Sequence, residues 1–263
     1  MIKNRRTAII LCGGKGTRLG ALSKKIPKTL VKIQNKEILW FIINILKINN
    51  FNHFILPIGY KGAKIKEFVE KNFKNDKEIE IFQTGLNSSI SSRIFKVKKL
   101  IKSNDFLLLN GDAIFNFNID KMYKDHVKKK IKMTFVAFKF QADFGTISIR
   151  NKKITGFQRN FSFDYVGAND KKGLQSYVYS GISLMNKKLL SKNFKNYENF
   201  EKKLYPSVIK KYKCDLKIPH GFFVSIDNMK DIHKINSKSS EISKYTTVSK
   251  LKKNIKKFKN KND

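Results

Sequence analysis

AIILCGGKGTRLGALSKKIPK, residues 8–28, is the stretch of sequence that decides the fold. Its first four residues are apolar, and such a short run is typical of one buried strand in a parallel sheet. The run breaks into a glycine-rich loop over residues 13–18, where the backbone can turn tightly and bring N–H groups close to a phosphate. Lys15 and Arg18 add cations, and arginine can bind two phosphate oxygens at once. The stretch therefore predicts a strand followed by an anion-binding turn.

A glycine-rich loop is often only a turn, so the prediction depends on what surrounds it. The loop is not closed by Gly-Lys-Ser/Thr and does not follow G-x-G-x-x-G, which separates it from two common phosphate-binding patterns. Two other features favour a phosphate site. A strand precedes the loop, and Thr17-Arg18 is followed at a modest distance by Pro27-Lys28.

The next part of the chain alternates between apolar strands and amphipathic helices. Strands are predicted over residues 54–58, 78–82 and 106–110, and helices over residues 38–48, 63–73 and 91–101, with residues 29–33 extended. This alternation predicts an α/β fold with a mostly parallel sheet and helices on both faces. Ligands of such sheets bind at the carboxyl ends of the strands, where the glycine loop and Gly111-Asp112 both fall.

The second half is more varied, and the sequence offers no clear domain boundary within it. Helices are predicted over residues 120–130 and 200–211, strands over residues 133–140, 145–150, 154–157, 177–185, 216–218 and 222–226, and a loop over residues 161–173. We expect one domain over residues 1–236. Residues 237–263 form a basic tail, in which residues 248–258 are compatible with a short helix or with disorder.

Composition limits the class of protein. The chain has 263 residues, 41% of them hydrophobic, which is enough for a substantial core. No apolar stretch approaches the roughly 20 residues of a membrane helix, and the basic N-terminus lacks the pattern of a signal peptide. Two cysteines, Cys12 and Cys214, do not make a disulfide framework, so a reducing cytoplasm fits best.

The net charge of +36 is extreme and raises the question of a nucleic-acid partner. The lysines are scattered along the whole chain, which indicates a general compositional bias. We therefore favour a solvated basic surface and expect no specific nucleic-acid site. Two tracts are denser, Lys128-Lys129-Lys130 and residues 250–261 of the tail, and the tail is the better candidate for weak contact with an anion or a membrane surface.

Gly13-Gly14-x-Gly16-Thr17-Arg18-Leu19, followed by Pro27-Lys28, resembles the signature of the sugar-1-phosphate nucleotidyltransferases. These enzymes join a sugar 1-phosphate to a nucleoside triphosphate and release pyrophosphate. The resemblance covers nearly the whole chain and implies a Rossmann-like, GT-A-type α/β fold. It also implies a divalent cofactor, Mg²⁺, and leaves room for a homo-oligomer.

Later motifs are similar to those of the glucose-1-phosphate cytidylyltransferases within this family. These motifs are residues 38–40, residues 59–62 together with 65–67, Thr84-Gly85 together with Arg93, and Asp227 ahead of Asp231. CTP is therefore the expected nucleotide, with guanylyl- or thymidylyltransferase activity as the alternative.

The resemblance implies roles for four charged residues. Arg18 would contact the β- and γ-phosphates, and Lys28 would stabilise charge near the α-phosphate. Asp112 and Asp227, each at the end of an apolar run, would hold the metal ion. Aspartate is also a favoured helix cap, so Asp227 could instead cap a helix over residues 228–235. A different alignment would put Ser225 at the acidic position.

The nucleotide-binding residues implied by the resemblance lie on several strand ends. They are Leu11, Gly13, Gly14, Gly16, Thr17, Thr84, Gly85, Arg93 and Gly111. Gly111 would permit close approach of the nucleotide. The family pattern has two glycines before the arginine, whereas this chain has Ser91 and Ser92, so the identity of the base is open.

The sugar-binding residues implied by the resemblance are Gly145, Arg159, Tyr179, Gly181 and Glu201. The family usually has Glu-Lys-Pro where this chain has Arg159-Asn160-Phe161, and usually has Asn at the position of Tyr179. These departures indicate a sugar other than plain glucose, or an altered activity. A rival hypothesis is a catalytically weakened protein that binds sugar nucleotides.

Overall fold

The computed structural model describes residues 5–138, 140–141, 146–150, 152–158, 162–163, 177–190 and 200–236. The strands are β1 (Thr7–Leu11), β2 (Lys32–Ile33), β3 (Lys36–Glu37), β4 (His53–Ile58), β5 (Ile79–Gln83), β6 (Asp105–Asn110), β7 (Ala113–Asn116), β8 (Met133–Phe138), β9 (Phe140–Gln141), β10 (Thr146–Arg150), β11 (Lys153–Gln158), β12 (Ser162–Phe163), β13 (Val178–Asn186), β14 (Cys214–Lys217) and β15 (Phe222–Ser225). The helices are α1 (Ala21–Lys25), α2 (Ile38–Ile48), α3 (Gly62–Phe73), α4 (Ile90–Val97), α5 (Ile119–Lys128), α6 (Phe200–Lys211) and α7 (Met229–Asn236).

Seven strands form the central sheet in the order β14-β8-β13-β6-β1-β4-β5. Strand β13 runs antiparallel to both of its neighbours, and the remaining pairs are parallel. The predicted mostly parallel α/β fold is therefore confirmed. Strand β4 lies on one side of β1, and β6, which comes later in the chain, lies on its other side. Such a switch in strand order leaves a crevice at the carboxyl ends of β1 and β6.

Strand β1 is covered on both faces, which explains its uninterrupted apolar sequence. Ile10 belongs to a core cluster with helices α2, α3 and α5, whereas Ile9 belongs to a second cluster with α4 and α6. Helix α2 is almost entirely buried, as expected for a helix that is apolar on every side. The predicted helices on both faces are thus present.

The predicted element bounds differ from the structure in a few places. Residues 29–33 are not one extended piece, because Lys28–Leu30 forms a 3₁₀ turn before the short β2–β3 hairpin. Helix α4 ends at Val97 and passes into a 3₁₀ turn over Lys98–Leu100. Within the predicted loop 161–173, β12 pairs with β9. The rest of that loop and the basic tail lie outside the described residues.

Strand β15 was predicted, but its partner was not. It pairs antiparallel with β7 to form a two-stranded ribbon apart from the central sheet, with Ser225 opposite Ala113. The N–H of Ile226 extends the pairing by donating to the carbonyl of Asp112 at 2.9 Å. This ribbon places Asp112 and Asp227 side by side, although they are far apart in sequence.

The two cysteines and the apolar character of the helices complete the description of the fold. Cys12 and Cys214 are both free thiols. No helix within the described ranges has the length and apolar character needed to span a membrane.

Candidate active site

A cleft of about 770 Å³ opens at the carboxyl ends of β1 and β6. It is lined by the glycine loop, by the turn that carries Lys28, by the end of β6 and by a loop before α4. The lining residues are Leu11, Cys12, Gly13, Gly14, Lys15, Gly16, Thr17, Arg18, Lys28, Thr29, Leu86, Asn87, Ser88, Ser89, Ile90, Arg93, Asn110, Gly111 and Asp112. Among them stand four cationic side chains and one carboxylate, so the cleft suits an anionic ligand.

Lys28 joins the two predicted metal ligands. Its ammonium lies 2.7 Å from Oδ2 of Asp112 and 2.9 Å from Oδ1 of Asp227. Arg18 also reaches Asp227, with its Nη2 at 3.0 Å from the same Oδ1. The structure thus brings together all four charged residues that the sequence nominates.

The side chain of Asp227 is directed to this cluster because another residue caps the following helix. Asn228 precedes α7, and its Oδ1 accepts from the N–H of Asp231 at 3.1 Å. In return, Oδ2 of Asp231 accepts from the N–H of Asn228 at 2.9 Å and of Asp227 at 2.7 Å. This reciprocal arrangement is a capping box. The alternative that Asp227 itself caps the helix is therefore wrong.

Ser225, which a different alignment would put at the acidic position, contacts Asp227. The Ser225 hydroxyl donates to Oδ2 of Asp227 at 3.1 Å. Burial raises the pKa of Asp227, but hydrogen bonds from Lys28 and Ser225 and the positive charge of Arg18 outweigh it, so that the net pKa is lowered. The carboxylate is accordingly held in its charged form.

The donor set fits a hard divalent cation. Two carboxylates share one positive group, the Lys28 ammonium, and offer only oxygen ligands. Within the described ranges, no three His, Cys, Asp or Glu side chains gather into a metal-binding group. A cation such as Mg²⁺ needs no such cage, because one or two carboxylates, water and substrate phosphate oxygens complete its coordination.

Two glycines of the loop, Gly13 and Gly16, are required by their surroundings or by their backbone conformation. A Cβ at Gly13 would lie 2.1 Å from Nη1 of Arg93. Gly16 has φ +63°, and a Cβ there would lie 3.1 Å from the Cβ of Lys28. At Gly14, by contrast, a Cβ would meet nothing within 4 Å. The loop is thereby fitted closely to Arg93 and Lys28.

Arg93 is a buried cation at the floor of the cleft, with 5% of its surface exposed. Its Nη1 donates to the Thr84 hydroxyl at 2.6 Å, and its Nη2 donates to the carbonyl of Leu86 at 3.2 Å. Burial lowers the pKa of Arg93. Gly59 makes room on another side, since a Cβ there would lie 2.3 Å from Nη1. Arg93 therefore holds the ends of β1, β4 and β5 together.

Thr84 and Gly85 do not line the cleft in the way the sequence suggests. The Thr84 hydroxyl is buried, donates to the carbonyl of Ile58 at 2.7 Å and accepts from Arg93. Gly85 has φ +99° and turns the chain toward α4. Neither residue lines the cleft, whose wall is formed by residues 86–90 instead. Sequence reasoning missed this segment, although Gly85 precedes it and Ser89 within it caps α4.

Gly111 lies on the cleft wall, but a different contact requires its small size. A Cβ there would lie 2.5 Å from Cγ2 of Thr29 and 2.7 Å from the carbonyl oxygen of Leu11. The glycine therefore lets the end of β6 approach the end of β1. Contact between Gly111 and a nucleotide stays a prediction.

Three of the predicted sugar contacts lie within the described residues. Gly181 has φ +75° and packs on Asn110 at the end of β6. The Tyr179 hydroxyl lies 2.9 Å from the Tyr205 hydroxyl on α6. Burial raises the pKa of Tyr179 to about 12, and the charge of Glu201 on α6 adds to this effect. Gly145 and Arg159 lie outside the described residues.

Comparisons with known proteins show the family and the fold of this chain. The nucleotidyl transferase family model matches residues 7–238. A "Probable glucose-1-phosphate cytidylyltransferase" of Bacillus subtilis is 28% identical over 250 residues, which cover 87% of this chain and 94% of that protein. A D-glycero-alpha-D-manno-heptose 1-phosphate guanylyltransferase of Campylobacter jejuni is 29% identical over 232 residues, covering 82% and 96%. The crystal structure of HddC from Yersinia pseudotuberculosis superposes with a TM-score of 0.63 at 20% identity, covering 88% and 98%.

The chain belongs to the nucleotidyl transferase family. The resemblance to sugar-1-phosphate nucleotidyltransferases, noted from the glycine loop and Pro27-Lys28, is confirmed. Enzymes of this family act on a nucleoside triphosphate and a sugar 1-phosphate and typically use a divalent metal ion.

Proposed function

We propose that this protein transfers a nucleotidyl group from CTP to a sugar 1-phosphate, releasing pyrophosphate, with Mg²⁺ as its cofactor. The observation that carries the proposal is the cluster in which Lys28 contacts both Asp112 and Asp227 at the mouth of a cationic cleft. Two acids and two cations at a strand-end crevice are what phosphoryl chemistry requires, because the protein's main task is to align phosphates and neutralise charge.

In this proposal the triphosphate lies along the glycine loop. Backbone N–H groups near Leu11 and in the loop at Gly13, Gly14, Gly16 and Thr17 face its phosphates, and Arg18 neutralises the β- and γ-phosphates. An oxygen of the sugar phosphate attacks the α-phosphorus, and the bond to the bridging oxygen of the pyrophosphate breaks. Lys28 stabilises the charge that accumulates at the α-phosphate. Asp112 and Asp227 would hold Mg²⁺, which would neutralise phosphate charge when bound.

Base selection is assigned to the floor and wall of the cleft. Arg93 is fixed there by Thr84, so its guanidinium can present an N–H donor without losing much side-chain entropy. Preference for CTP over GTP or dTTP rests on the resemblance and on the relatives, one of which is named a cytidylyltransferase and another a guanylyltransferase.

Sugar recognition is assigned to the region of Tyr179, Gly181 and Glu201, with Gly145 and Arg159 as further contacts. The tyrosine pair and Glu201 supply hydroxyl and carboxylate groups of the kind that bind sugar hydroxyls. We also infer one catalytic domain over residues 1–236, a basic tail over 237–263, no specific nucleic-acid partner, and a reducing cytoplasmic location, with which the two free thiols are compatible.

The test is an assay of pyrophosphate release with Mg²⁺. Each nucleoside triphosphate is combined in turn with glucose, mannose and heptose 1-phosphates, and the Asp112→Asn variant serves as the inactive control. We expect release that requires both substrates and is largest with CTP. Binding of sugar nucleotides without release in any combination would favour the weakened binding protein. Absence of both binding and release would overturn the proposal.

A further inference from the structure

Lys28 is held far more firmly than the other cation of the cluster. Its side chain is 11% exposed, whereas that of Arg18 is 73% exposed. The base of the side chain packs on Gly16, and its ammonium lies within 3 Å of one oxygen from each acid. In this structure Lys28 therefore neutralises the two carboxylates.

A divalent cation bound to the same two carboxylates cannot coexist with the ammonium in this position. A cation held between these carboxylates would lie only a few ångströms from the ammonium, and the repulsion between like charges at that distance is large in a partly buried site. The ammonium must therefore leave when the metal ion arrives. Lys28 also lines the cleft, where the phosphates of a nucleotide would offer it a new anionic partner.

We propose that Lys28 is a built-in counter-ion that competes with the metal ion in the free enzyme and moves to the phosphates when metal and triphosphate bind together. The inference rests on the proposed function and adds that binding of the metal ion and binding of the triphosphate are coupled through Lys28. Metal alone binds weakly, because the described residues that line the cleft offer the displaced ammonium no carboxylate other than Asp112. Metal with triphosphate binds cooperatively, because the same ammonium then gains a phosphate.

Binding measurements test this without turnover. Mn²⁺ serves as the probe for the metal site, and its affinity is measured by electron paramagnetic resonance with and without CTP, in the absence of sugar phosphate. In Lys28→Met we expect Mn²⁺ alone to bind about tenfold more tightly, since the competing charge is gone. The factor by which CTP tightens Mn²⁺ binding should fall about tenfold. By linkage, the factor by which Mn²⁺ raises the affinity for CTP should fall equally.

Two matched variants isolate the effect of position. Lys15→Met removes the same charge from the same cleft, but Lys15 is exposed and has no carboxylate partner within the described residues. We expect its Mn²⁺ affinity to change less than about threefold. Lys28→Arg keeps the cation and should keep the weak binding of Mn²⁺ alone. Thermal unfolding of each variant establishes that it is folded.

Asp112→Asn and Asp227→Asn separate failure of this inference from failure of the proposed function. If both variants abolish Mn²⁺ binding but Lys28→Met binds Mn²⁺ no more tightly than the wild type, the counter-ion role is wrong and the metal site stands. If neither variant alters Mn²⁺ binding, the proposed metal site is wrong as well. An equal gain in Lys15→Met and Lys28→Met would also overturn the inference, because net charge alone would explain it.

Discussion

Ile226 donates its backbone N–H to the carbonyl oxygen of Asp112 at 2.9 Å, and this bond fixes the distance between the two acids of the site. It closes the ribbon of β7 and β15, so that Asp227, the next residue, emerges beside Asp112. The two carboxylates are therefore positioned by one rigid pair of strands. Positioning of this kind, by backbone hydrogen bonds instead of mobile side chains, is what phosphoryl transfer requires.

The first prediction concerns these acids. Asp112→Asn and Asp227→Asn should each lower kcat/KM by about 100-fold or more, because under the proposed function each would remove a ligand of the metal ion that stabilises the transition state. Asp215→Asn is the matched control, since Asp215 lies on β14 at the edge of the central sheet. Steady-state pyrophosphate release measures the effect. Unchanged activity in both acid variants would contradict their assigned role.

The second prediction tests the fit between the glycine loop and Arg93. Gly13→Ala would place a Cβ 2.1 Å from Nη1 of Arg93, so the guanidinium must move. We expect a loss of about 1–3 kcal/mol in the free energy of unfolding, as for other overpacked sites, together with weaker CTP binding. Gly14→Ala is the control, because a Cβ there meets nothing within 4 Å, and its stability should stay within about 0.5 kcal/mol. Equal effects of the two substitutions on urea unfolding would disprove the packing argument.

The sequence predicts best those elements whose own residues decide their structure. The prediction of α2 over residues 38–48 agrees with the structure at both ends, because its apolar residues follow a helical period over a length that favours a buried helix over a strand. The strand before the glycine loop was predicted to within one residue. The sequence also predicts the charged residues of the site, and the structure brings Arg18, Lys28 and the two acids together beside the glycine loop.

Contacts between distant segments could not be predicted from the local sequence. Strand β7 begins only three residues after β6 ends, and its partner β15 lies more than a hundred residues further on, so nothing local distinguishes it from a loop. The same limit applies to Gly59, which the sequence places in a cytidylyltransferase-like motif without indicating why a glycine is needed there. Its small size is required because Arg93, from another element, occupies the space of its Cβ.

The third prediction concerns the helix that carries Arg93. Ser89 caps α4, and its hydroxyl accepts from the N–H of Ser92 at 3.2 Å and lies 3.1 Å from the hydroxyl of Ser91. Ser89→Ala should cost about 1 kcal/mol of stability, the usual effect of losing an N-cap. Because Ser89 also lines the cleft, CTP should bind more weakly. Ser92→Ala keeps the backbone donor and is the control. Urea unfolding and CTP titration would show no difference between the two variants if the cap were unimportant.

The last prediction is a pH dependence of stability that arises away from the site. Burial raises the pKa of Asp120, but hydrogen bonds from Lys124 and Arg6 outweigh it and lower the pKa to about 2. Because the folded-state pKa lies below the ordinary value of 3.8, the resulting stabilisation is complete well above pH 4 and is lost as the pH falls toward 2. Asp120→Asn should therefore lower the free energy of unfolding by about 2 kcal/mol at pH 7, and about half of that difference should have disappeared by pH 3. Urea unfolding of both proteins across this range measures the gap, and a gap that stays constant with pH would show that Asp120 stabilises the fold by packing alone.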